Sequence, residues 1–233
     1  MTPAGPRGAL AVRAVGSAAL IADLDSIEEV LALRTAMEYD TPPGVRELVA
    51  AARTLLVTYD PAVTGHDALA REMTRRAAGT TVAAGQRLDA TERSGAADGA
   101  GAPDGPGTLI VPVRYDGPDL AEAAALTGLT VDEVIARHTA PLYTVAFAGF
   151  APGFGYLTGT DPVLGLSRRA EPRTEVPAGA VAVAGGFTGI YPRPSPGGWR
   201  LLGTTSLALW DERRDPPALL VPGRPVRLRA VGR

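Results

Sequence analysis

The 233-residue chain contains no cysteine, no lysine and no asparagine, and only two histidines, His66 and His138. Without cysteine there is no disulfide, no thiol nucleophile and no thiolate metal site. Without lysine there is no Schiff-base amine and no P-loop lysine, and no G-x-x-x-x-G-K-[ST] pattern occurs. Two histidines are too few for a three-histidine zinc site, so no protein-held metal is expected. No apolar run approaches the roughly 20 residues that a bilayer span needs. The opening "MTPAGPRGALAVRAVG" has no apolar signal-peptide core, so the expected location is the cytoplasm, with no membrane partner. A net charge of −2 provides no polybasic footprint for nucleic acid.

What is present describes an ordinary globular protein: 45% hydrophobic and 21% charged residues. All 23 basic residues are arginine, alongside 28 glycines and 21 prolines. Abundant Ala, Arg, Gly and Pro with no Lys or Asn is the signature of GC-rich codons. The length allows one large or two small domains.

Organisation changes along the chain. "ALAVRAVGSAALIADL" (9–24) reads as two strands broken at Gly16-Ser17. Asp25-Ser26 can cap a helix carrying Ile27, Val30, Leu31, Leu33 and Ala36 at helical spacing. "VRELVAA" and "RTLLVTYD" are strand-like, and a second helix is expected over Thr64–Ala78. The order β-β-α-β-β-α predicts an α+β N-terminal domain over 1–80, its helices on one face of an antiparallel sheet. Residues 81–107, rich in Gly, Ala and Asp, are expected to be a flexible linker. A second domain, 108–233, opens with "TLIVPVRYDG", whose Pro112 predicts an edge strand. Two short helices follow, the second with a Thr130/Glu133 capping box. After them come short β segments with Gly/Pro punctuation, which predict a mainly β, closed or nearly closed barrel.

Two loops stand out. In "YTVAFAGFAPGFGYLTG" (143–159), Gly149, Gly153 and Gly155 alternate with Phe150, Phe154 and Tyr156. Such spacing suits either a barrel corner plugged by rings or a rigid cleft wall. In "TGIYPRPSPGGWRLLGTT" (188–205), the Pro196-Gly197 turn and Gly198 allow a tight hairpin. They equally allow Ser195 and the glycine amides to face an anion. Arg168, Arg169, Arg173 and Arg193 surround these loops and raise the case for an anionic ligand. His138 ends a helix, a place for a dipole partner or a packed residue as much as for a base. Spacing alone does not separate these readings.

"GFAPGFGYL", "PRTEVPAGAVAVAGG", "TGIYP" and "SPGGW", in this order, resemble the kinase-A-inhibitor (KipI) family. That family is also called allophanate hydrolase subunit 1 and, in many bacteria, is the B component of 5-oxoprolinase. The resemblance extends to "ALIADLDSIEEVLAL", "PPGVRELVAAARTLLVTYDP" and "PVRYDGPDLAEAA…TVDEVIARHT", nearly the whole chain. It implies a cyclophilin-like β-barrel after a smaller α+β domain. It implies a non-autonomous subunit of an ATP-dependent cyclic amide hydrolase that opens 5-oxo-L-proline to L-glutamate, inactive when isolated. The partners it implies are a subunit-2-like barrel protein, the C component, and a lactam-utilisation-type protein, the A component, with ATP and Mg²⁺ at a shared site. On that basis Arg168, Arg173, Ser195 and His138 are the expected catalytic residues. Gly153, Phe154, Tyr156, Phe187, Thr188, Tyr191, Gly197, Gly198 and Trp199 are the expected substrate-binding residues. The alternatives the family allows are inhibition of a sensor histidine kinase, or membership of a related urea or allophanate amide hydrolase. Three positions depart from the family's usual residues: Phe187 stands where Gln is common, Thr204 where Arg is common, and Gly155 where Pro or another residue is frequent.

Overall fold

The computed structural model describes residues 10–93 and 107–232, with side chains described for 10–79 and 107–232. The chain divides into two compact units, Met1–Asp98 and Gly99–Arg233.

The first unit shows the expected element order: β1 (Ala11–Ala14), β2 (Ala19–Asp23), α1 (Ile27–Tyr39), β3 (Val45–Ala50), β4 (Thr54–Tyr59) and α2 (His66–Arg93). Its antiparallel sheet runs β1-β2-β4-β3. Period-2 alternation turns Leu20 and Ala22 of β2, and Leu55, Val57 and Tyr59 of β4, into the core. There they meet Val30, Leu33 and Met37 of α1 and Leu69 and Met73 of α2. Ser26 caps α1 by accepting the Glu29 amide at 3.3 Å. The other end of α1 is held from α2. Arg76, its side chain only 8% exposed, donates to the carbonyls of Ala36 at 2.5 Å and Asp40 at 2.6 Å, and pairs with Glu72 at 2.6 Å. A guanidinium there satisfies carbonyls that the last helical turn leaves unpaired.

α2 corrects the expected linker. The helix continues to Arg93, so the first part of 81–107 is helical. The reason lies in "TTVAAGQRLDATER", whose Ala, Gln, Arg, Leu and Glu are good helix formers with one glycine among them. Positions 94–106 of that expected linker lie outside the described residues.

The second unit begins with β5 (Leu109–Val113), α3 (Leu120–Thr127) and α4 (Val131–Thr139). Thr130 and Glu133 form the predicted capping box on α4. Then come β6 (Tyr143–Ala148), β7 (Gly155–Thr158), β8 (Arg173–Val176), β9 (Ala180–Ala184), β10 (Phe187–Ile190), β11 (Ser195–Gly197), β12 (Arg200–Thr204) and β13 (Pro225–Ala230). Seven of these strands form one sheet in the order β12-β9-β10-β7-β6-β13-β5, and β8 and β11 form a separate two-stranded ribbon. β5 is an edge, as Pro112 requires, and it pairs in parallel with β13. Just past β5, Arg114 exchanges both backbone hydrogen bonds with Thr204 of β12, at 2.8 and 2.7 Å. That single bridge joins the two edges, so the sheet nearly closes into a barrel.

Both faces of β9 are buried. Val181 and Val183 join an interior cluster with Val111, Val113, Val145, Leu157, Ile190 and Leu202, onto which α3 and α4 pack. Ala180, Ala182 and Ala184 face the other way, under Phe154, Tyr191 and Trp199. A β-bulge between Val145 and Phe147 sends Val145 inward while Phe147 stacks on Tyr156 at 4.3 Å.

Replacing Arg76 by Ala leaves two helix-end carbonyls without their donor and Glu72 with Arg75 alone. We expect a loss of about 2–3 kcal/mol, read as a lower urea midpoint with an unchanged slope. A loss below about 0.5 kcal/mol would show that the guanidinium does not hold α1.

Candidate functional site

The aromatic residues singled out from sequence converge on one face of the sheet. Phe154 is the hub, packed edge-on against Phe150, Tyr156, Tyr191 and Trp199 at centroid distances of 5.0–5.6 Å. Tyr156 adds Phe147 and Phe187 to the layer. Phe154, Tyr191 and Trp199 are buried; Tyr156 and Phe187 are half-buried and form the accessible part. Room for the rings comes from the alanines of β9 and from Gly189 on β10. A Cβ on Gly189 would lie 2.7 Å from Phe154 Cζ and 2.9 Å from Trp199 Cζ3. Gly197 serves the same purpose, for a Cβ there would lie 2.3 Å from the Tyr191 hydroxyl oxygen.

Phe150 is the exception to burial. It is 58% exposed, rests on Phe154 and Tyr191, and holds φ at 67°. A non-glycine residue in that region costs about 1–3 kcal/mol and persists where surrounding structure enforces it, most often at ligand-contacting loops. Gly153 lies in the same loop, beside Pro192 and Trp210.

The arginines separate into two groups. Arg169 and Arg173 both pair with one carboxylate, Asp119, at 3.0 and 2.6 Å, and Arg169 also lies 3.7 Å from Glu122. Asp119 is 2% exposed, and its second oxygen accepts the Leu201 amide at 2.7 Å. Burial pushes its carboxyl up, but the hydrogen bonds from Arg173 and Leu201 and the two guanidinium charges outweigh that and hold it below the usual range. Arg168, by contrast, is exposed and makes no ion pair or hydrogen bond among the described residues. Its charge acts on Tyr156 and Tyr191. Burial raises both phenols, and Arg168 is the first influence drawing them back down. The Trp199 amide also bonds the Tyr191 hydroxyl. The result is a ring-walled surface with the unpaired Arg168 beside it, which suits a small ligand with a compact apolar body and an anionic group.

Other expected site residues lie elsewhere. Thr188 alternates with Phe187 and Gly189, so it faces the interior, not the ring layer. There its hydroxyl lies 3.0 Å from His138 Nε2 and 3.0 Å from the Thr160 hydroxyl. His138 Nδ1 is 2.8 Å from the Tyr115 hydroxyl, and the Tyr143 hydroxyl donates to the His138 carbonyl at 2.8 Å. With both ring nitrogens engaged and no exposure, His138 is a buried structural link; burial drives its pKa down to about 3. Ser195 donates to the Arg193 carbonyl at 3.1 Å and pairs with Val176. Gly198 gives its carbonyl to the Arg169 amide at 2.8 Å. Thr204 sits at the barrel seam with its hydroxyl on Asp116 at 2.8 Å, outside the aromatic layer. Sequence reasoning missed Asp119. In "GPDLAEAA" it reads as a helix cap, and nothing local reveals two arginines fifty residues further on.

Comparison with known proteins identifies the family. The family model "Carboxyltransferase domain, subdomain C and D" matches residues 10–220. The B component of 5-oxoprolinase from Escherichia coli O157:H7 is 51% identical over 120 residues, 50% of this chain and 55% of that protein. The matched stretch thus spans about half the length of this curated relative. The crystal structure of TTHA0988 superposes with a TM-score of 0.67 at 36% identity, covering 93% of this chain but 40% of that one. The structure of PH0987 from Pyrococcus horikoshii matches at 33% identity and a TM-score of 0.52, covering 95% of this chain and 97% of that one.

Two outcomes check the geometry. The His138 ring resonances should not titrate between about pH 5 and 8. An unfolded histidine takes up its proton near pH 6.5 whereas the folded one resists to about 3, so this residue's contribution favours folding above pH 6.5 and is lost as pH falls from there. A ring titration midpoint near 6.5 in the native protein would refute its burial. Gly189→Ala should cost about 1–3 kcal/mol by overpacking and shift Trp199 emission; wild-type stability and emission would show that the rings do not lie on β10.

Proposed function

Because the chain belongs to the carboxyltransferase subdomain C and D family, we propose that it is the B-type component of an ATP-dependent 5-oxoprolinase. In this reading residues 1–80 form the family's N-terminal domain and 108–233 its cyclophilin-like barrel. The observation that carries the reading is the free guanidinium of Arg168 beside the Tyr156–Phe187 surface. 5-Oxo-L-proline is a five-membered lactam bearing one carboxylate. The ring fits an aromatic wall, and the carboxylate fits a lone arginine. Arg173 and His138 then support the site from behind, through Asp119 and Thr188, and do not touch substrate.

A lactam is a poor electrophile, and bound ATP would supply its activation by phosphoryl transfer to the lactam oxygen, with ADP leaving. The described residues fit only part of such a nucleotide site. None of their acidic or histidine side chains gather in groups of three or more around a point that could hold a metal ion. The guanidinium of Arg168 matches a single anionic group, not a triphosphate with Mg²⁺. We therefore assign Mg²⁺–ATP to a site completed by partner proteins, a subunit-2-like barrel protein and one of lactam-utilisation type. The span of this module supports that division: it is 40% of TTHA0988 and nearly all of PH0987, so it occurs both joined to further chain and alone.

Co-expression with those two partners, followed by an assay for ATP-dependent glutamate release from 5-oxo-L-proline, tests the proposal. Arg168→Ala should cut kcat/KM at least about tenfold through loss of a charge-assisted contact. A wild-type rate from that variant would remove Arg168 from the site, and an inactive, well-folded wild-type assembly would sink the substrate assignment.

A further inference from the structure

Arg168 sits between two anchored neighbours. The carbonyl of Ser167 accepts Arg200 Nε at 3.1 Å, and Arg200 pairs with Glu122 at 2.8 Å. On the other side, the Arg169 amide donates to the Gly198 carbonyl at 2.8 Å, and its guanidinium is held by Asp119. Four residues further on, Arg173 ends on the same carboxylate oxygen as Arg169. The second oxygen of Asp119 fixes the start of β12 through the Leu201 amide. One buried carboxylate thus ties together the arginine loop, β8 and β12.

We infer that Asp119 is the positioning residue of the Arg168 site: by taking up both Arg169 and Arg173 it fixes the loop and leaves Arg168, alone of these three, free to meet a ligand. The inference rests on the proposed reading of Arg168 as the anion-facing group. Hydrogen bonding supports it. Arg169 and Arg173 share an almost fully buried partner, so both guanidinium groups are held in place, while Asp119 could not remain ionised at 2% exposure without them. The geometry also explains why, of three arginines within six residues of each other, two are paired and one is not. Asp119 is almost fully buried beneath Arg169 and Arg173, so it acts through the loop and not by contact with substrate.

Two measurements test this. The first is labelling of the full-length chain with phenylglyoxal, followed by mass spectrometry of the peptide that spans Arg168 to Arg173. In the wild type, Arg168 should react and Arg169 and Arg173 should be slower by about tenfold or more, in keeping with their charge-assisted pairing. In Asp119→Asn all three should react at similar rates. Equal rates in the wild type would overturn the clamp. The second is the split between KM and kcat in the reconstituted assembly. Asp119→Asn and Arg169→Gln should raise KM for 5-oxo-L-proline about tenfold or more with kcat within about threefold. Arg169→Lys, which still offers Asp119 a cation, should stay within about threefold of the wild-type KM. If Asp119→Asn fails to fold, the Arg169 pair carries the test, since Arg169 is partly exposed. A raised KM in Arg168→Ala with an unchanged KM in Asp119→Asn and Arg169→Gln would overturn the positioning role while keeping the site. An unchanged KM in Arg168→Ala would overturn the site itself, and this inference with it.

Discussion

Strand β9 carries the constraint on which the second unit depends, because both of its faces are buried and they demand different residues. One face needs branched bulk to fill the interior of a nearly closed barrel, and Val181 and Val183 supply it. The other must leave depth for aromatic rings, and Ala180, Ala182 and Ala184 provide that space. The period-2 pattern "AVAVA" is thus a record of two packing problems solved on one strand. The β-bulge in β6 and the glycine in β10 extend the solution sideways. The bulge brings Phe147 onto the Tyr156 face, and Gly189 lets Phe154 and Trp199 approach the backbone.

Charge is arranged with the same economy. Three arginines, Arg169, Arg173 and Arg200, pair with two carboxylates, Asp119 and Glu122, around the loop that carries Arg168. An ion cluster built on a buried carboxylate contributes little net stability, since desolvation cancels much of the attraction, but it fixes geometry. The rings give the site its shape, the clamp fixes the loop, and Arg168 supplies the free charge. The interior polar chain from Tyr115 through His138 and Thr188 to Thr160 crosses from α4 to β10 and lies behind the ring layer. Every member has a partner, so the chain can be buried without penalty and specifies how α4 docks.

Much of the fold was legible because its signals are local. The Ser26 cap, the Thr130/Glu133 capping box, the edge position implied by Pro112 and the β-β-α-β-β-α order all rest on residues within a few positions of each other. The short strands β7, β8 and β11 were harder to read. Each is four residues or fewer and contains glycine, proline or charge that also suits a loop. The extension of α2 to Arg93 was obscured by small residues that read as linker by composition although most of them tolerate a helix.

By itself the sequence determined which residue types could build a site: aromatic rings spaced by glycines, a surplus of arginine, and no thiol or lysine chemistry. It also determined the family, because the motifs that carry it are contiguous. Only the tertiary structure decided which of those residues work together. Phe187 and Thr188 are adjacent in sequence, yet strand alternation sends one to the ring layer and the other to His138. Arg168, Arg169 and Arg173 look equivalent along the chain, yet a carboxylate fifty residues away claims two of them and leaves the third. The physical reason is that a side chain's charge state and accessibility depend on what packs against it, and those neighbours are brought together by the barrel, not by the local sequence.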